Sequence, residues 1–337
     1  MTKLSASKVA RYRRCMKSYY YSYVLGLQRV KKSIAPVRGT IIHDCLQTHY
    51  SGGDWTKPIA ELKIEWDKLF DEERAEWGDL PKEIYRIMRG YLLAYKTADS
   101  KLKTLATEVE FKYLLDGTTS KIEYTGFIDW IYEDDRGVWI CDHKTVKTLP
   151  SEQELYMDMQ TLLYYDACRY DEGLKKLLEG KKLAGVVFNH IRTKAPKEPQ
   201  VLKSGGISKA ACDTDVATYF EAVRKAGLDV NDYKDMVDKL KGNTFFRRTR
   251  IPVSETTIAI LRKELQHTAR HIVTAEAYYE MWGEGTSFTR TLLKGRCSWD
   301  CEFSKICFAE LAGMNIQEMV DEDFEPRGSR EDGENEN

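Results

Sequence analysis

The sequence predicts an α/β domain in which helices surround a single sheet, because strand-like and helix-like segments alternate along its 337 residues. Apolar runs over residues 108–115, 122–133 and 137–145 are typical of strands, and "EDDRG" between the last two indicates a hairpin turn. Two further runs, 184–192 and 244–253, predict a fourth and a fifth strand. Hydrophobic residues make up 42% of the chain, which is enough to form a core around these strands.

Helical periodicity accounts for most of the remaining chain. The predicted helices cover residues 7–25, 39–50, 57–77, 82–98, 152–176 and 255–282. Ser151, followed three residues later by Glu154, predicts a capping box at the start of the fifth of these helices. Because no repeat or long linker divides the chain, we expect one domain over residues 1–316, with a helical insertion at about 51–100.

The composition predicts a soluble protein without a membrane partner. Charged residues account for 31% of the chain, and no stretch approaches the roughly 20 apolar residues of a membrane span. The segment "MTKLSASKVARYRRC" lacks the apolar core of a signal peptide. We therefore expect a cytoplasmic location.

Charge is distributed unevenly between the two ends of the chain. Residues 1–50 contain ten basic residues and one acidic residue, whereas residues 318–337 contain nine acidic residues and two arginines. The basic end favours a polyanionic partner, although a solvated helix face would give the same composition. The acidic end predicts a disordered tail over residues 317–337.

The predicted hairpin carries an unusual set of charges for an apolar sheet. Side chains alternate between faces along a strand, so Asp142 and Lys144 share one face. If Glu133 pairs with Val138, Asp129 lies opposite Asp142, and two carboxylates this close repel unless a cation separates them. Oxygen ligands favour Mg²⁺ or Mn²⁺, with Lys144 beside the ion. The alternative is a surface hairpin with a simple Asp–Lys pair.

Further polar residues stand on neighbouring predicted elements. Gln160 and Tyr164 are four residues apart and share a helix face, and Glu110 lies in the strand before the hairpin. His43 follows a glycine in "RGTIIHDC". A single histidine of this kind is more often a core or surface residue than a ligand, so His43 gains weight only in combination with the others.

In combination, these residues resemble the RecB-like branch of the PD-(D/E)XK nuclease superfamily, which includes helicase–nuclease subunits, CRISPR-associated exonucleases and phage exonucleases. The matching residues are, in chain order, His43, Glu110, Asp129, Asp142, Lys144, Gln160 and Tyr164. The resemblance covers about residues 5–310, and "FID" replaces the leading Pro-Asp of the superfamily. It implies a restriction-endonuclease-like core, with a mixed central sheet flanked by helices.

The resemblance also implies a mechanism, which is metal-dependent hydrolysis of phosphodiester bonds. His43, Asp129 and Asp142 would hold one or two Mg²⁺ or Mn²⁺ ions, and Glu110 would assist through water. The metal would stabilise charge on the scissile phosphate and acidify its bound water. Lys144 would position that water or neutralise the transition state. The glutamine and tyrosine on the helix would orient the DNA strand or the lysine.

Cysteine spacing predicts a second metal site. Cys297, Cys301 and Cys307 have the density of a metal-binding segment within about residues 286–310, and Cys15 is the candidate fourth ligand. The family resemblance implies a [4Fe-4S] cluster that clips the two chain ends together. A zinc site made of the same residues and a site without metal remain the alternatives. We expect the remaining cysteines to be reduced and buried; they are Cys45, Cys141, Cys168 and Cys212.

Such a clip would join basic residues from both ends of the chain into one surface. The predicted DNA-binding residues are Arg11, Arg14, Lys17, Arg290, Lys294 and Arg296. Aromatic residues interleave with them; they are Tyr12, Tyr19, Tyr20 and Trp299. Basic grooves with aromatic platforms suit single-stranded DNA, but these rings could equally pack around the cluster.

The predicted function is therefore a metal-dependent DNA exonuclease acting on single strands or DNA ends in recombination, repair or replication. The alternatives are an inactive cluster-containing DNA-binding scaffold and an endonuclease that uses the same site. The sequence contains no P-loop or dinucleotide-binding motif, so unwinding would require a partner, such as a helicase, single-strand-binding or recombination protein. The family would place it in a bacterial or phage-infected cell. Residues 195–243 could cap the DNA channel.

Overall fold

The structure is a computed structural model that describes residues 2–30, 34–115, 122–210, 212–283, 285–293 and 295–328, without the side chains of Arg296 and Trp299. Its strands are β1 Thr2–Leu4, β2 Leu27–Arg29, β3 Lys103–Leu114, β4 Ile122–Asp134, β5 Gly137–Val146, β6 Leu183–Arg192, β7 Phe246–Ile251 and β8 Phe324–Pro326. All but β2 and β8 belong to one six-stranded mixed sheet. The predicted fold class, a mixed sheet flanked by helices, is thus confirmed.

Helices cover both faces of this sheet. The helices before β3 are α1 Ala6–Arg14, α2 Met16–Tyr19, a π-helix Tyr20–Val24, α3 Ile34–Tyr50, α4 Lys57–Lys68, α5 Asp71–Trp77 and α6 Leu80–Asp99. The helices between β5 and β7 are α7 Glu152–Leu155, α8 Met159–Tyr170, α9 Glu172–Leu177, α10 Val216–Lys225, a 3₁₀ turn Val230–Tyr233 and α11 Asp235–Leu240. The remaining helices are α12 Glu255–Trp282, a 3₁₀ turn Gly285–Ser287, α13 Arg296–Trp299, α14 Ser304–Leu311 and α15 Gln317–Asp323.

Strand β4 pairs with three other strands, and this arrangement sets the position of the site. Along one edge it pairs antiparallel with β3, from Leu114↔Glu123 to Lys103↔Glu133. Its other edge is shared by two strands: β1 pairs parallel with its beginning, and β5 pairs antiparallel with its end. Beyond β5, β6 is parallel to β5 and β7 is antiparallel to β6. The edge of β4 between β1 and β5 is therefore open within this sheet.

Two apolar cores form where helices pack on the sheet. On one face, α1, α8 and α12 contribute residues such as Val9, Leu163 and Leu265 to the larger core. On the other, α3 and α6 contribute Ile42 and Ile84 to a second core. Burying each such aliphatic side chain stabilises the fold by about 1.5–3 kcal/mol.

Three of the predicted helices are interrupted. The first breaks at Cys15, which has extended backbone angles between α1 and α2. The third, over 57–77, breaks between α4 and α5, so the helical insertion contains three helices. The fifth divides into α7, α8 and α9, because Asp158 and Asp171 each cap a new helix by accepting a backbone N–H three residues on. The capping box of Ser151 and Glu154 is confirmed.

Other predictions agree more closely with the structure. The hairpin register is confirmed, since Glu133 pairs with Val138. The predicted helix over 255–282 coincides with α12, and the predicted strand over 244–253 contains β7. The predicted helix over 39–50 begins earlier, at Ile34. No helix in the described part of the chain is long and apolar enough to cross a membrane.

Residues 195–243 form a small unit between β6 and β7 rather than an irregular loop. Helices α10 and α11 and their 3₁₀ turn enclose an apolar cluster of their own, which includes Ile207, Tyr219 and Met236. The unit leaves the sheet after β6 and returns at β7, and its predicted role as a cap remains a prediction.

The acidic C-terminal segment is ordered further than its charge predicts. Residues 317–323 form α15, and β8 pairs antiparallel with β2 through Gln28↔Glu325. Lys305 donates to Asp323 at 2.9 Å, which neutralises part of the negative charge. The predicted disordered tail therefore starts too early, while residues 329–337 lie outside the described residues.

Candidate active site

The candidate site lies at a fork between β4 and β5. Paired residues run from Asp134↔Gly137 to Trp130↔Cys141, and the next residue on each strand is Asp129 or Asp142. Both carboxylates are almost completely buried, at 2% and 1% exposure. Asp129 Oδ2 accepts a hydrogen bond from the backbone N–H of His143 at 2.5 Å. At the fork, the carboxylate therefore takes the place of a backbone hydrogen bond between the two strands.

Three potential metal ligands converge beside this fork. One ligand atom each from His43, Glu108 and Asp129 lies within 4.8 Å of the others. Asp142 is outside this closest group, but its charge acts on the pKa of His43. Imidazole nitrogen and carboxylate oxygen are both ligands of divalent metal ions.

Glu108, rather than the predicted Glu110, contributes to this group. Glu108 has a backbone φ of 46°, a left-handed value that departs from regular strand geometry. Glu110 is an exposed residue of β3 paired with Phe127. The motif "EVEF" offers two glutamates two residues apart, and only the local backbone distinguishes them.

His43 is held against the sheet by helix α3. A side chain at Gly39, one helical turn earlier, would place its Cβ 3.2 Å from Thr145 Oγ1, so the glycine lets α3 approach β5 closely. Burial lowers the pKa of His43 to about 4, with Asp142 opposing and Lys144 reinforcing this shift. The imidazole is therefore neutral near pH 7, the form that binds metal.

Asp142 and Lys144 share a face of β5, as strand alternation predicts. Lys144 Nζ lies 3.2 Å from Asp142 Oδ2. Burial raises the pKa of Asp142 to about 7, while Lys144 favours its charged form. The same acidic surroundings, led by Asp142, outweigh burial and raise the pKa of Lys144, so the ammonium group stays charged. Because burial makes ionisation of Asp142 costly, a metal ion bound nearby would stabilise its charged form further.

The glutamine and tyrosine of α8 orient this lysine. Lys144 Nζ donates to Gln160 Oε1 at 3.1 Å, and Gln160 Nε2 donates to Tyr164 Oη at 2.6 Å. Tyr164 is 3% exposed and packs edge-on against Phe111. Asp158, which sequence reasoning missed, lies 3.9 Å from Lys144 Nζ. The structure thus brings the predicted residues of α8 and β5 into one chain of contacts.

A buried polar network supports the fork from the other face of the sheet. Asn189 contacts His143 Nδ1 at 2.7 Å and donates to Tyr91 Oη at 2.8 Å. Arg248 donates to the same tyrosine hydroxyl at 2.6 Å and forms an ion pair with Asp99. His143 therefore points away from Asp142 and Lys144, as alternation predicts. The pairing of Arg248 with Asp99 had no local sequence signal.

The four predicted cluster ligands line a single cavity. Cys15, Cys297, Cys301 and Cys307 surround it together with Tyr21 and other residues. Although burial opposes the shift, hydrogen bonds from Thr291, Ser18 and Lys17 lower the pKa of Cys15. Of the remaining cysteines, Cys212 is half-buried and the other three are buried.

The spacing of these thiols differs from that of a small tetrahedral site. Zn–S bonds of about 2.3 Å place tetrahedral sulfur ligands about 3.8 Å apart. Within the described residues, the one group of three or more potential ligands with all ligand atoms within 4.8 Å is that of His43, Glu108 and Asp129. No three of the four cysteine sulfurs therefore lie within 4.8 Å of one another, and the cluster remains a prediction beside the zinc alternative.

The predicted DNA-binding cations are instead paired with acids of the C-terminal segment. The ion pairs are Arg11–Glu302, Arg14–Asp300, Lys17–Glu310 and Arg290–Glu310. Lys17 is only 5% exposed. The first three of these pairs connect the two chain ends, and all four leave less unpaired positive charge for DNA than the sequence suggested. Lys294 and the side chain of Arg296 lie outside the described residues.

The neighbouring aromatic residues mainly pack against each other. Tyr12 and Tyr19 form an edge-on pair with ring centroids 5.3 Å apart, and both are buried. Tyr20 packs against Phe288 at 5.2 Å. This arrangement favours the packing alternative over a stacking platform for bases, while the side chain of Trp299 lies outside the described residues.

Comparison with known proteins agrees with this geometry. The profile of the PD-(D/E)XK nuclease superfamily matches residues 3–308. The chain belongs to the PD-(D/E)XK nuclease superfamily, whose members use divalent metals and act on DNA.

Solved structures give more distant similarity. SSO0001 is 12% identical, with a TM-score of 0.33, and the match covers 91% of this chain and 86% of that one. A protein from Eubacterium rectale described as "Putative exonuclease" is 14% identical, with a TM-score of 0.35 and coverage of 76% and 86%. No curated protein matches the sequence significantly.

Proposed function

We propose that this protein is a metal-dependent DNA exonuclease of the RecB-like branch, acting on single strands or DNA ends in recombination, repair or replication. The observation that carries the proposal is Lys144, held between Asp142 and Gln160 beside His43, Glu108 and Asp129. An inactive scaffold would have no use for a buried lysine and buried acids, which are costly unless paired.

The proposed metal site consists of His43, Glu108, Asp129 and Asp142. A divalent ion bound there would neutralise negative charge on the scissile phosphate. His43 is neutral and needs no deprotonation to act as a ligand. Asp129 is fixed by the N–H of His143, so its carboxylate is oriented before any ion binds.

The remaining residues would position the attacking water and the DNA. Lys144 keeps its proton and can donate a hydrogen bond to the water or to a phosphate oxygen. Gln160 accepts one hydrogen bond from the lysine, which limits the directions in which the ammonium group can point. Tyr164 in turn holds Gln160, so the tyrosine acts as a positioning residue.

The cysteine cavity supports a structural [4Fe-4S] cluster held by Cys15, Cys297, Cys301 and Cys307. The four thiols come from both chain ends and surround one cavity, which supports a shared metal group. When bound, such a cluster would supply a covalent link between the chain ends rather than a redox step. Thiolates are the ligands that such a cluster needs; hydrogen bonds lower the pKa of Cys15, whereas burial raises the pKa of Cys301.

The biological setting follows from the same proposal. We expect a cytoplasmic protein of a bacterial or phage-infected cell. A helicase, a single-strand-binding protein or a recombination protein would supply the single strand, because the sequence lacks a nucleotide-binding motif for a motor.

The proposal is tested with labelled linear and closed circular single-stranded DNA, incubated with anaerobically purified protein in Mn²⁺, Mg²⁺ or EDTA. Metal-dependent loss of the linear strand alone, absent from Asp142→Ala, is the expected result. Cleavage of the circle would identify an endonuclease using the same site. Binding of DNA without any cleavage would instead favour the scaffold.

A further inference from the structure

A row of side chains extends from Lys144 across three strands. Lys144 on β5 is paired with His190 on β6, and His190 is paired with Arg247 on β7. Residues directly opposite one another in a sheet point to the same face. Two positions further along the parallel pair, Val146 is paired with Arg192, which shares this face by alternation. The row therefore begins at the candidate site and leads away from it.

Several nitrogen atoms of this row have no hydrogen-bond partner among the described residues. His190 is 4% exposed, and neither its Nδ1 nor the Nε of Arg192 or Arg247 has a hydrogen-bond partner among the described residues. Arg247 donates to the carbonyl of Pro150, and Arg192 to that of Thr244 at 3.4 Å. Buried polar groups are nearly always hydrogen-bonded, so these three nitrogens mark hydrogen-bonding capacity that the described residues do not use.

The two arginines also differ from the basic residues near the cysteines. Arg11 and Arg14 pair with acids, whereas neither Arg192 nor Arg247 forms an ion pair with a carboxylate in the described part of the chain. Both are only partly buried, so their guanidinium groups can meet a ligand. Guanidinium groups bind phosphate well because their donors form a planar fork.

The position of the row suits an extended ligand. It crosses the end of the sheet at which β5 and β6 finish, and the carboxyl ends of parallel strands are where α/β sheets bind ligands. The negative charge of Asp158 favours protonation of His190, but its carboxylate lies 3.9 Å from the ammonium group of Lys144. His190 has a pKa lowered to about 4 by burial and by Arg247 and Lys144, so it separates two cations as a neutral ring.

We propose that Arg192, His190 and Arg247 form a phosphate-binding strip that holds the backbone of the DNA strand next to the scissile phosphate. The inference rests on the proposed function and adds the path of the substrate. DNA passing Lys144 would continue along this row over β6 and β7. Arg192 and Arg247 bind phosphates, while His190 positions them.

The strip is tested by binding of a labelled single-stranded oligonucleotide to the full-length protein in EDTA, where cleavage does not interfere. We expect Arg192→Ala and Arg247→Ala each to weaken binding about 5- to 10-fold at low salt. Each should also lower the slope of log affinity against log salt by about 1, because one phosphate contact is lost. Arg247→Gln, which keeps a donor for the carbonyl of Pro150, should show the same loss.

Arg250→Ala is the matched control. It removes an arginine from the same strand, but from the opposite face, where Arg250 pairs with Asp134 at 2.8 Å. Its affinity and salt slope should equal those of the wild-type protein. Thermal melts of all variants establish that they are folded, and Arg247→Gln replaces Arg247→Ala if the latter is not.

The binding experiments test the phosphate-binding strip independently of the proposed nuclease activity. Wild-type slopes for the Arg192 and Arg247 variants, equal losses for Arg250→Ala, or no binding by the wild-type protein at about 50 mM salt would overturn it. If the variants lose affinity as expected but the wild-type protein cleaves nothing in Mn²⁺, the strip stands and the proposed nuclease fails.

Discussion

At the scale of single residues, the sequence identified the type of site more reliably than each ligand. Asp129, Asp142 and Lys144 follow from strand alternation and a two-strand register, both of which are local rules. Glu108 does not, because alternation allows Glu108 or Glu110 equally. The choice is made by a φ of 46° at Glu108, and nothing in the neighbouring sequence encodes that angle.

Glu108 and Glu110 provide the first prediction. Glu108→Gln should raise the Mn²⁺ concentration needed for half-maximal cleavage by about 10- to 100-fold, because a carboxylate next to His43 and Asp129 is lost. Glu110→Gln, on the exposed side of β3, should behave like the wild-type protein. Metal titrations of activity measure both. A larger effect at Glu110 would restore the original sequence-based ligand set and contradict the structure.

At the scale of elements, the five predicted strands correspond to β3 to β7, whereas the short strands β1, β2 and β8 and the breaks within the helices were missed. The strand runs are bounded by turn residues, whereas helix interruptions depend on side chains that cap a new helix. Asp158 and Asp171 divide the predicted helix over 152–176, and the interruption brings Asp158 next to Lys144. Propensity alone does not reveal such a break, since Asp is tolerated inside helices as well as at their ends.

The contact between β7 and α6 gives an element-scale prediction. Arg248→Ala should lower the free energy of unfolding by about 3–5 kcal/mol, because it leaves Asp99 and the hydroxyl of Tyr91 without their buried partner. Arg250→Ala, whose pair with Asp134 is more exposed, should cost at most about 1 kcal/mol. Urea denaturation followed by circular dichroism compares the two. Equal losses would show that the buried network does not hold the helix to the sheet.

At the scale of the whole molecule, the two chain ends are joined in three ways. Strands β2 and β8 pair, three ion pairs connect residues 11–17 to residues 300–310, and four cysteines from both ends line one cavity. The family resemblance implied that a cluster would clip the two ends together, while the pairing of β2 with β8 was not predicted. The charges were assigned to DNA because composition does not show which acids will lie beside which bases once the ends meet.

The cysteine cavity leads to a whole-molecule prediction. Anaerobically purified protein should contain iron and acid-labile sulfide and absorb visible light, and Cys15→Ser should lose most of both. Cys212→Ser, a half-buried cysteine outside the cavity, is the control and should retain them. Iron and sulfide assays with absorption spectra provide the measurement. Stoichiometric zinc without iron, or an unchanged iron content in Cys15→Ser, would contradict the cluster.

Loss of the cluster should also loosen the closure of the chain ends. Limited proteolysis of Cys15→Ser should remove the segment after α12 faster than in the wild-type protein, because three thiolates would no longer be tied to the N-terminal helices. Equal digestion rates would show that the ion pairs and the β2–β8 pairing close the molecule unaided.

The central claim is that Lys144 and the acids at the strand fork form a metal-dependent nuclease site. The most direct measurement is single-turnover cleavage of a short linear single strand in Mn²⁺ by wild-type protein, Lys144→Ala and the exposed control Lys147→Ala, with DNA binding measured in EDTA. The account predicts that Lys144→Ala binds DNA but cleaves about 10²- to 10³-fold more slowly, while Lys147→Ala cleaves normally. Wild-type cleavage by Lys144→Ala, or no cleavage by the wild-type protein, would contradict it.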